Sequence, residues 1–292
     1  MCSSDLEGAG RIGRYTLVSP VGEGGFGIVW LASQQQPVRR LVALKVLRRD
    51  PGSKMVLSRF QNERQALARM DHPNVATVLD AGVTDDGRPW FAMPYIDGMP
   101  INAHCDHERL PVRERVRLLA ETCDGVQHAH QKGIIHRDLK PGNILVEVFD
   151  DRPMAKVIDF GIAKAISHTA FAKNLFTIEG MPVGTPEYMS PEQADANPLD
   201  VDTRTDVYSL GVVLYELISG ALPIDSESLR SAGFAAMQRM IREVDPPNPS
   251  TRLSTSGASA STAAKARGMQ LQELVRTLQG ELSWIPIDRK ST

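Results

Sequence analysis

Short apolar runs separated by polar breaks fill the first part of the chain and predict β-strands. The runs are residues 15–18, 28–32, 41–47, 75–83 and 90–93. Between the third and fourth runs, Phe60, Leu67 and Met70 fall near one face of a helix. We therefore expect residues 14–93 to form a small, β-rich region that contains one helix.

The apolar pattern changes to a helical period after residue 98. Residues 112–132 predict a long helix with Pro111 at its entrance, where a missing N–H costs little. Its apolar stripe recurs at three and four residues and comprises Val116, Leu119, Ala120, Cys123, Val126, Gln127 and His130. Residues 207–218 are mostly apolar but too short and too often interrupted to span a membrane, so they predict a buried helix.

The remaining sequence predicts a mostly helical second region. One further helix is expected over residues 226–244 and another over residues 271–284. The stretch 249–266 is rich in Ser, Thr and Ala, which indicates a flexible surface insertion. The fold class is therefore α+β, with a β-rich part followed by a larger helical part.

Composition excludes several classes of function. The chain has 292 residues, 42% of them hydrophobic, and a net charge of −2, which gives no electrostatic case for nucleic acid or an anionic membrane. Three scattered cysteines (Cys2, Cys105 and Cys123) do not make a disulfide framework. Residues 1–13 lack the apolar core of a signal peptide and predict a flexible N-terminus. We expect a cytoplasmic protein without a membrane segment or a nucleic-acid partner.

A glycine-rich turn lies between the first two predicted strands. It consists of Val21, Gly22, Glu23, Gly24, Gly25, Phe26 and Gly27. Without Cβ atoms its backbone N–H groups can approach phosphate oxygens closely, although a plain hairpin turn explains the glycines as well. A strand follows the turn, which argues against a dinucleotide-binding loop, where a helix would follow.

Lys45 interrupts the apolar run 41–47. It is either an exposed edge residue or a buried ammonium that needs a partner. Glu63 is the candidate partner because it lies beside Phe60 and Leu67 on the predicted helix. A solvated helix glutamate is the alternative for Glu63.

Two polar loops bounded by apolar runs carry the richest chemistry in the chain. The first, 136–143, reads His-Arg-Asp-Leu-Lys-Pro-Gly-Asn, and the second, 159–161, reads Asp-Phe-Gly. Together with the glycine turn and Lys45, they resemble the catalytic and metal-binding loops of eukaryotic-type (Hanks-type) protein serine/threonine kinases, in particular bacterial members. The resemblance implies a two-lobed kinase fold over residues 14–292, with a hinge at 94–98 and a second lobe at 99–292.

The resemblance also implies roles for individual residues. Asp138 would orient the substrate hydroxyl and accept its proton, and Lys140 would contact the transferred phosphate. Asn143 and Asp159 would hold Mg²⁺, with Mn²⁺ as an alternative ion. Lys45, paired with Glu63, would contact the phosphates of ATP. The adenine would meet the hinge residues Met93 and Ile96 and the apolar side chains Val29, Ala43 and Leu145, each of which also suits a simple core role.

Regulation is implied by the segment from Asp159 to Glu192. Arg137 would pair with a phosphorylated residue there, for which Thr177 is favoured over Ser167 and Thr169. Thr185 resembles the threonine of the substrate platform that bonds the catalytic aspartate and lysine. Asp206 either caps a helix or holds the backbone of the catalytic loop.

The resemblance weakens after residue 222. Such kinases pair the glutamate that matches Glu192 with a late arginine, for which only Arg289 stands near the end, so we expect a second lobe shortened at its end. We expect an ATP-dependent kinase acting on Ser and Thr of proteins and self-associating for autophosphorylation. A pseudokinase or nucleotide-binding scaffold is the alternative. A small-molecule kinase fits less well because such enzymes typically lack the 185–192 platform and the Asp206 helix.

Overall fold

A computed structural model describes residues 10–24, 27–48, 70–160, 185–195 and 201–279. These residues form two compact units; the first extends to Asp97 and the second begins at Gly98. The division falls within the predicted hinge at 94–98. In the described part of the chain, no helix is both long enough and apolar enough to cross a bilayer.

The first unit is a six-stranded antiparallel sheet in the order β1-β2-β3-β4-β6-β5. Its strands are β1 (Arg11–Ile12), β2 (Tyr15–Gly24), β3 (Gly27–Gln34), β4 (Arg40–Leu47), β5 (Asp80–Val83) and β6 (Pro89–Pro94). Val42, Leu44 and Val46 alternate along β4 and are buried in one core with Tyr15 and Trp90. The fold begins before the predicted residue 14, because Ile12 of β1 joins this core.

The second unit contains a small sheet in the order β7-β8-β9, formed by β7 (Gly98–Pro100), β8 (Ile144–Phe149) and β9 (Arg152–Val157). Asp150 and Asp151 connect β8 to β9, and both have positive φ, as a tight hairpin turn requires. The hairpin matters for function because one polar loop precedes β8 and the other follows β9.

The described part of the second unit also contains nine α-helices. They are α1 (Ile101–His107), α2 (Val112–Gln131), α3 (Pro191–Ala194), α4 (Thr203–Ser219), α5 (Ser226–Ser231), α6 (Phe234–Glu243), α7 (Pro249–Thr255), α8 (Ala258–Ala266) and α9 (Leu271–Gln279). The predicted helices 112–132 and 207–218 correspond to α2 and α4. Asp202 caps the start of α4, and Gly220, in the left-handed conformation, ends it.

Two predictions for the later sequence are wrong. Residues 249–266 do not form a flexible insertion but fold into α7 and α8, where Leu253, Ala260 and Ala264 join a buried core. Their serines remain compatible with helix because their hydroxyls donate to backbone carbonyls, as Ser254 does to Ser250 O at 2.8 Å. The single helix expected over 226–244 is two helices, α5 and α6, separated near Gly233.

Arg115 and Arg267 are the largest fully buried side chains in the described residues. The guanidinium of Arg267 donates to the backbone oxygens of Glu216, Leu217 and Ile218 at 2.8–3.0 Å. Those carbonyls lie in the last turn of α4, where Glu216 O also accepts the N–H of Gly220 and the last carbonyls of a helix lack intrahelical donors. Burial lowers the pKa of Arg267 to about 10, so the side chain stays charged at neutral pH. The arginine therefore anchors α8 to the end of the buried helix α4.

Candidate active site

The backbone of the first polar loop is held by Asp206, a residue of α4 whose side chain is fully buried. Its Oδ2 accepts the backbone N–H of His136 and its Oδ1 that of Arg137, both at 2.7 Å. The Nε2 atom of His130 on α2 lies 2.8 Å from Oδ2. Asp202, not Asp206, caps α4, so of the two sequence interpretations of Asp206 the loop-holding one is confirmed.

Two residues of the candidate site have a strained backbone. Arg137 has φ 65° and Asp159 has φ 62°, a region that non-glycine residues seldom occupy. Such a conformation costs on the order of 1–3 kcal/mol and persists only where the surroundings enforce it. For Arg137 the N–H bond to Asp206 is one such constraint.

The side chains predicted to act on the substrate lie together on this loop. Lys140 Nζ lies 3.1 Å from Asp138 Oδ2 and donates to Thr185 Oγ1 at 3.3 Å. Asn143 Nδ2 donates to the backbone oxygen of Asp138 at 2.7 Å and to its Oδ2 at 3.1 Å. About a fifth of the Asp138 side chain remains exposed (20%), so a substrate hydroxyl can reach its carboxylate.

The predicted metal ligands are brought together by the β8–β9 hairpin. Ile144 pairs with Val157, and the N–H of Ile158 donates to Asn143 O at 2.9 Å, so Asn143 and Asp159 lie at neighbouring strand ends. The amide nitrogen of Asn143 is engaged by Asp138, which leaves its amide oxygen as the ligand atom. An amide oxygen and a carboxylate suit Mg²⁺, whose remaining ligands would be water and phosphate oxygens. Within the described residues no group of three or more His, Cys, Asp or Glu side chains forms a protein-only metal site.

His136 fixes the second loop from the side. Its Nε2 atom lies 3.0 Å from Ile158 O, and its ring packs against Phe160 with 4.7 Å between centroids. His136 is itself fully buried. The two loops therefore form one packed assembly within the second unit.

In the first unit, Lys45 is buried on β4, with 7% of its surface exposed. It pairs in register with Val29 of β3 and Phe91 of β6, and its Nζ lies 5.9 Å from the Phe91 ring centroid. The edge-residue interpretation is thus wrong, and the buried-ammonium interpretation is confirmed. Glu63 lies outside the described residues, so its pairing with Lys45 stays a prediction.

The other predicted nucleotide contacts divide between the two units. Ala43 and Met93 pair in register on β4 and β6, and Ala43 is half-buried whereas Met93 is buried. Ile96 follows β6 in the same unit, and Leu145 lies on β8 in the second unit. Gly25, Phe26, Thr169 and Thr177 lie outside the described residues.

The described glycines of the turn differ in the space that each would leave for a side chain. A Cβ atom at Gly27 would lie 2.2 Å from Val46 O, so strand packing alone requires glycine there. At Gly22 and Gly24 nothing lies within 4 Å of a Cβ position. Among the glycines of the turn that the structure describes, these two leave open space beside the backbone, which is what a phosphate-binding turn needs.

Gly27→Ala should therefore affect stability, whereas Gly24→Ala should affect ATP binding. Gly27→Ala should lower the free energy of unfolding by about 2 kcal/mol, because β3 and β4 must separate to admit the methyl group. Gly24→Ala should leave stability unchanged and weaken ATP binding. Urea denaturation and nucleotide titration of both variants measure this. Equal stability of the two variants would contradict it.

The segment 185–195 is tied to α4 and α5 by side chains that the sequence did not single out. Tyr188 OH donates to Glu216 Oε2 at 2.6 Å, and Ser209 Oγ donates to Tyr188 O at 2.8 Å. Burial raises the pKa of Tyr188 well above its usual value, and the nearby Glu216 carboxylate raises it further. The Tyr188 hydroxyl therefore keeps its proton and remains a hydrogen-bond donor. Apolar periodicity carries no signal for such polar anchors.

Glu187 and Glu192 also have partners. Arg230 Nε donates to Glu187 Oε1 at 2.7 Å, and Ser226 Oγ donates to the same oxygen. Glu192 Oε1 accepts from Thr205 Oγ1 at 2.6 Å. Arg289 lies outside the described residues, so its suggested pairing with Glu192 stays untested.

Comparison with known proteins agrees with this geometry. The profile of the family described as "Protein kinase domain" matches residues 15–278. The chain is 41% identical over 248 residues to serine/threonine-protein kinase pkn3 of Myxococcus xanthus, covering 82% of this chain and 44% of that protein. It is 37% identical over 248 residues to serine/threonine-protein kinase PknB of Mycobacterium leprae, covering 82% of this chain and 37% of the relative.

Solved structures give the same result for the fold. The crystal structure of the PknI kinase domain of Mycobacterium tuberculosis superposes with a TM-score of 0.60 at 26% identity, covering 93% of this chain and 97% of that one. The chain spans less than half the length of the curated relatives named above. The matched residues include both units and the polar loops at 136–143 and 159–160. The chain thus belongs to the protein kinase family and has the bacterial serine/threonine kinases among its relatives.

Proposed function

We propose that this chain transfers the γ-phosphoryl group of ATP to serine and threonine hydroxyls of proteins. The observation that carries the proposal is the cluster of Asp138, Lys140, Asn143 and Thr185 on one loop and its neighbouring segment. Phosphoryl transfer requires mainly positioning and charge stabilisation, and this cluster offers an acceptor for the proton and a cation beside it.

Each side chain has a task in the proposed reaction. The Asp138 carboxylate orients the attacking hydroxyl and accepts its proton. Lys140, held between Asp138 and Thr185, places its positive charge where the transferred phosphoryl group gains negative charge. Asn143 fixes the Asp138 backbone through its amide nitrogen.

Magnesium, held by Asn143 and Asp159, would neutralise the phosphate charges of ATP. Mn²⁺ has the same preference for oxygen ligands and is the alternative ion. Lys45 in the first unit supplies a buried cation for the α- and β-phosphates, with Glu63 as its proposed partner. These assignments rest on the family's general chemistry together with the residues present.

The test is an autophosphorylation assay on the 292-residue chain with labelled ATP and magnesium. Asp159→Ala, which removes a proposed metal ligand, serves as the control. We expect the unaltered chain to become labelled. The labelling rate of Asp159→Ala should be at least about a hundredfold lower, because removing a group that stabilises transition-state charge typically costs about 10²–10³ in rate. A folded chain that binds ATP but transfers nothing would favour the nucleotide-binding scaffold instead.

Mapping of the phosphorylated residues tests regulation in the same experiment. We propose Thr177 as the principal acceptor and Thr169 as the secondary one, with Arg137 binding the resulting phosphate. A labelling rate that rises with the square of protein concentration would indicate that two copies of the chain associate and that one phosphorylates the other. Protein substrates and a cytoplasmic location belong to the same proposal; the free thiols of Cys105 and Cys123 agree with a reducing compartment.

A further inference from the structure

Gln193, on the short helix α3, links the substrate-side segment to the catalytic loop. Its Nε2 atom donates to the backbone oxygen of Arg137 at 2.8 Å. The two residues are 56 positions apart in sequence, so the contact is a tertiary one. Arg137 is the residue immediately before Asp138, and it is one of the two site residues with positive φ.

The hydrogen bond from Gln193 is a second constraint on the strained backbone of Arg137. The N–H of Arg137 donates to Asp206 from one side, and its carbonyl accepts from Gln193 on the other. With N–H and carbonyl both fixed, the left-handed conformation at residue 137 is over-determined, as strained residues at functional sites require. The direction of the next peptide, and with it the position of the Asp138 side chain, follows from that conformation.

The same amide also caps its own helix. Gln193 Oε1 accepts the backbone N–H of Ser190 at 3.2 Å, and Ser190 Oγ accepts the N–H of Gln193 at 3.4 Å, which is a reciprocal capping box. One amide therefore uses its oxygen to shape the segment and its nitrogen to hold the catalytic loop. Glutamate also completes a capping box but has no N–H to donate, so the two tasks can be separated by substitution.

We propose that Gln193 is a positioning residue for phosphoryl transfer, which holds the Arg137 carbonyl and thereby sets the catalytic loop in its working conformation. The proposal rests on the proposed function for its kinetic part. Through the Arg137 carbonyl, the hydrogen bond also connects the 185–195 segment to Asp138. An ordered 185–195 segment would therefore help to hold the proposed base in position.

The decisive variant is Gln193→Glu, which keeps the cap and removes the donor. We expect kcat to fall about tenfold with the KM for ATP unchanged, because the hydrogen bond to the part-buried carbonyl of Arg137 is replaced by repulsion between two oxygens. Amide exchange in residues 136–139 should become about tenfold faster. Gln238→Leu is the matched control, since Gln238 donates to Ala194 O of the same segment but not to the catalytic loop.

Arg137→Gly provides a rescue that a merely structural role for Gln193 would not show. Glycine adopts φ 65° without strain, so the loop should keep its conformation without help from Gln193. Added to Arg137→Gly, the Gln193→Glu change should then accelerate exchange less than twofold, compared with about tenfold in the original background. Equal acceleration in both backgrounds would overturn the proposal.

The two readouts separate this proposal from the proposed function. If the unaltered chain transfers no phosphate but the exchange pattern appears as described, the proposed function fails while Gln193 still positions the loop. If the chain is active and Gln193→Glu changes neither kcat nor exchange, the proposed function survives and the role of Gln193 is refuted.

Discussion

Asp138→Asn should lower the rate of phosphoryl transfer about 10³-fold, within the range that a positioned general base contributes. Asparagine has nearly the same shape, but its amide cannot accept the proton of a substrate hydroxyl. The substitution also removes the negative charge 3.1 Å from Lys140 Nζ. ATP affinity should change little, because the proposed phosphate contact Lys45 and ligand Asp159 are untouched. Single-turnover transfer and nucleotide titration measure the two quantities separately.

Asp202→Asn is the matched control for this experiment. Asp202 caps α4 by accepting the N–H of Arg204 at 2.8 Å, and asparagine caps helices about as well. Its transfer rate should stay within about twofold of the unaltered chain. Transfer by Asp138→Asn at more than a tenth of the original rate would remove Asp138 from the role of base.

The polar loops could be located from sequence because their chemistry is concentrated in short, contiguous motifs. Asp138, Lys140 and Asn143 lie close together on one loop, Asp159 follows the neighbouring strand, and Lys45 is buried, whereas their roles toward ATP and metal stay predictions. What the sequence left open was Asp206, because an aspartate at a helix start suits a cap as well as a tertiary contact. The choice depended on the position of α4 relative to residues 136–137, which no local pattern encodes.

Apolar periodicity misjudged the parts of the second unit that polar side chains hold together. On α2 the predicted stripe included Ala120, which is exposed, and omitted Arg115 and Thr122, which are buried. Arg115 can be buried because its Nε donates to Leu110 O at 2.8 Å, and Thr122 because its hydroxyl donates to Leu118 O at 3.1 Å. Hydropathy counts such residues as solvent-facing, although their partners satisfy them.

Residues 249–266 were misjudged for a related reason. Small residues and hydroxyls suggest a loop, but Ala260 and Ala264 are what let α8 approach its neighbours closely. Arg267, directly after α8, then bonds three carbonyls at the end of α4. The fit between an arginine guanidinium and the carbonyls at a helix end can be recognised only when the positions of both helices are known.

Asp206→Ala should be the most destabilising single change in the candidate site, lowering the free energy of unfolding by about 3–5 kcal/mol. The substitution leaves the backbone N–H groups of His136 and Arg137 without their acceptor, the first of them buried and the second part-buried. Each buried donor left unpaired costs about 1–3 kcal/mol. Urea denaturation followed by circular dichroism measures the loss.

The comparison with Asp202→Ala shows whether the loss arises from the loop or from the helix. Asp202→Ala removes only the cap of α4 and should cost about 1 kcal/mol. Asp206→Asn should lie between the two, because its amide oxygen can still accept one of the two backbone N–H groups while its NH₂ group faces the other. A family domain of this size is stable by only about 5–15 kcal/mol, so Asp206→Ala should unfold well below the temperature of the unaltered chain. If Asp206→Ala cost no more than Asp202→Ala, the catalytic loop would have to be held by other contacts, and the central place of Asp206 in this site would be lost.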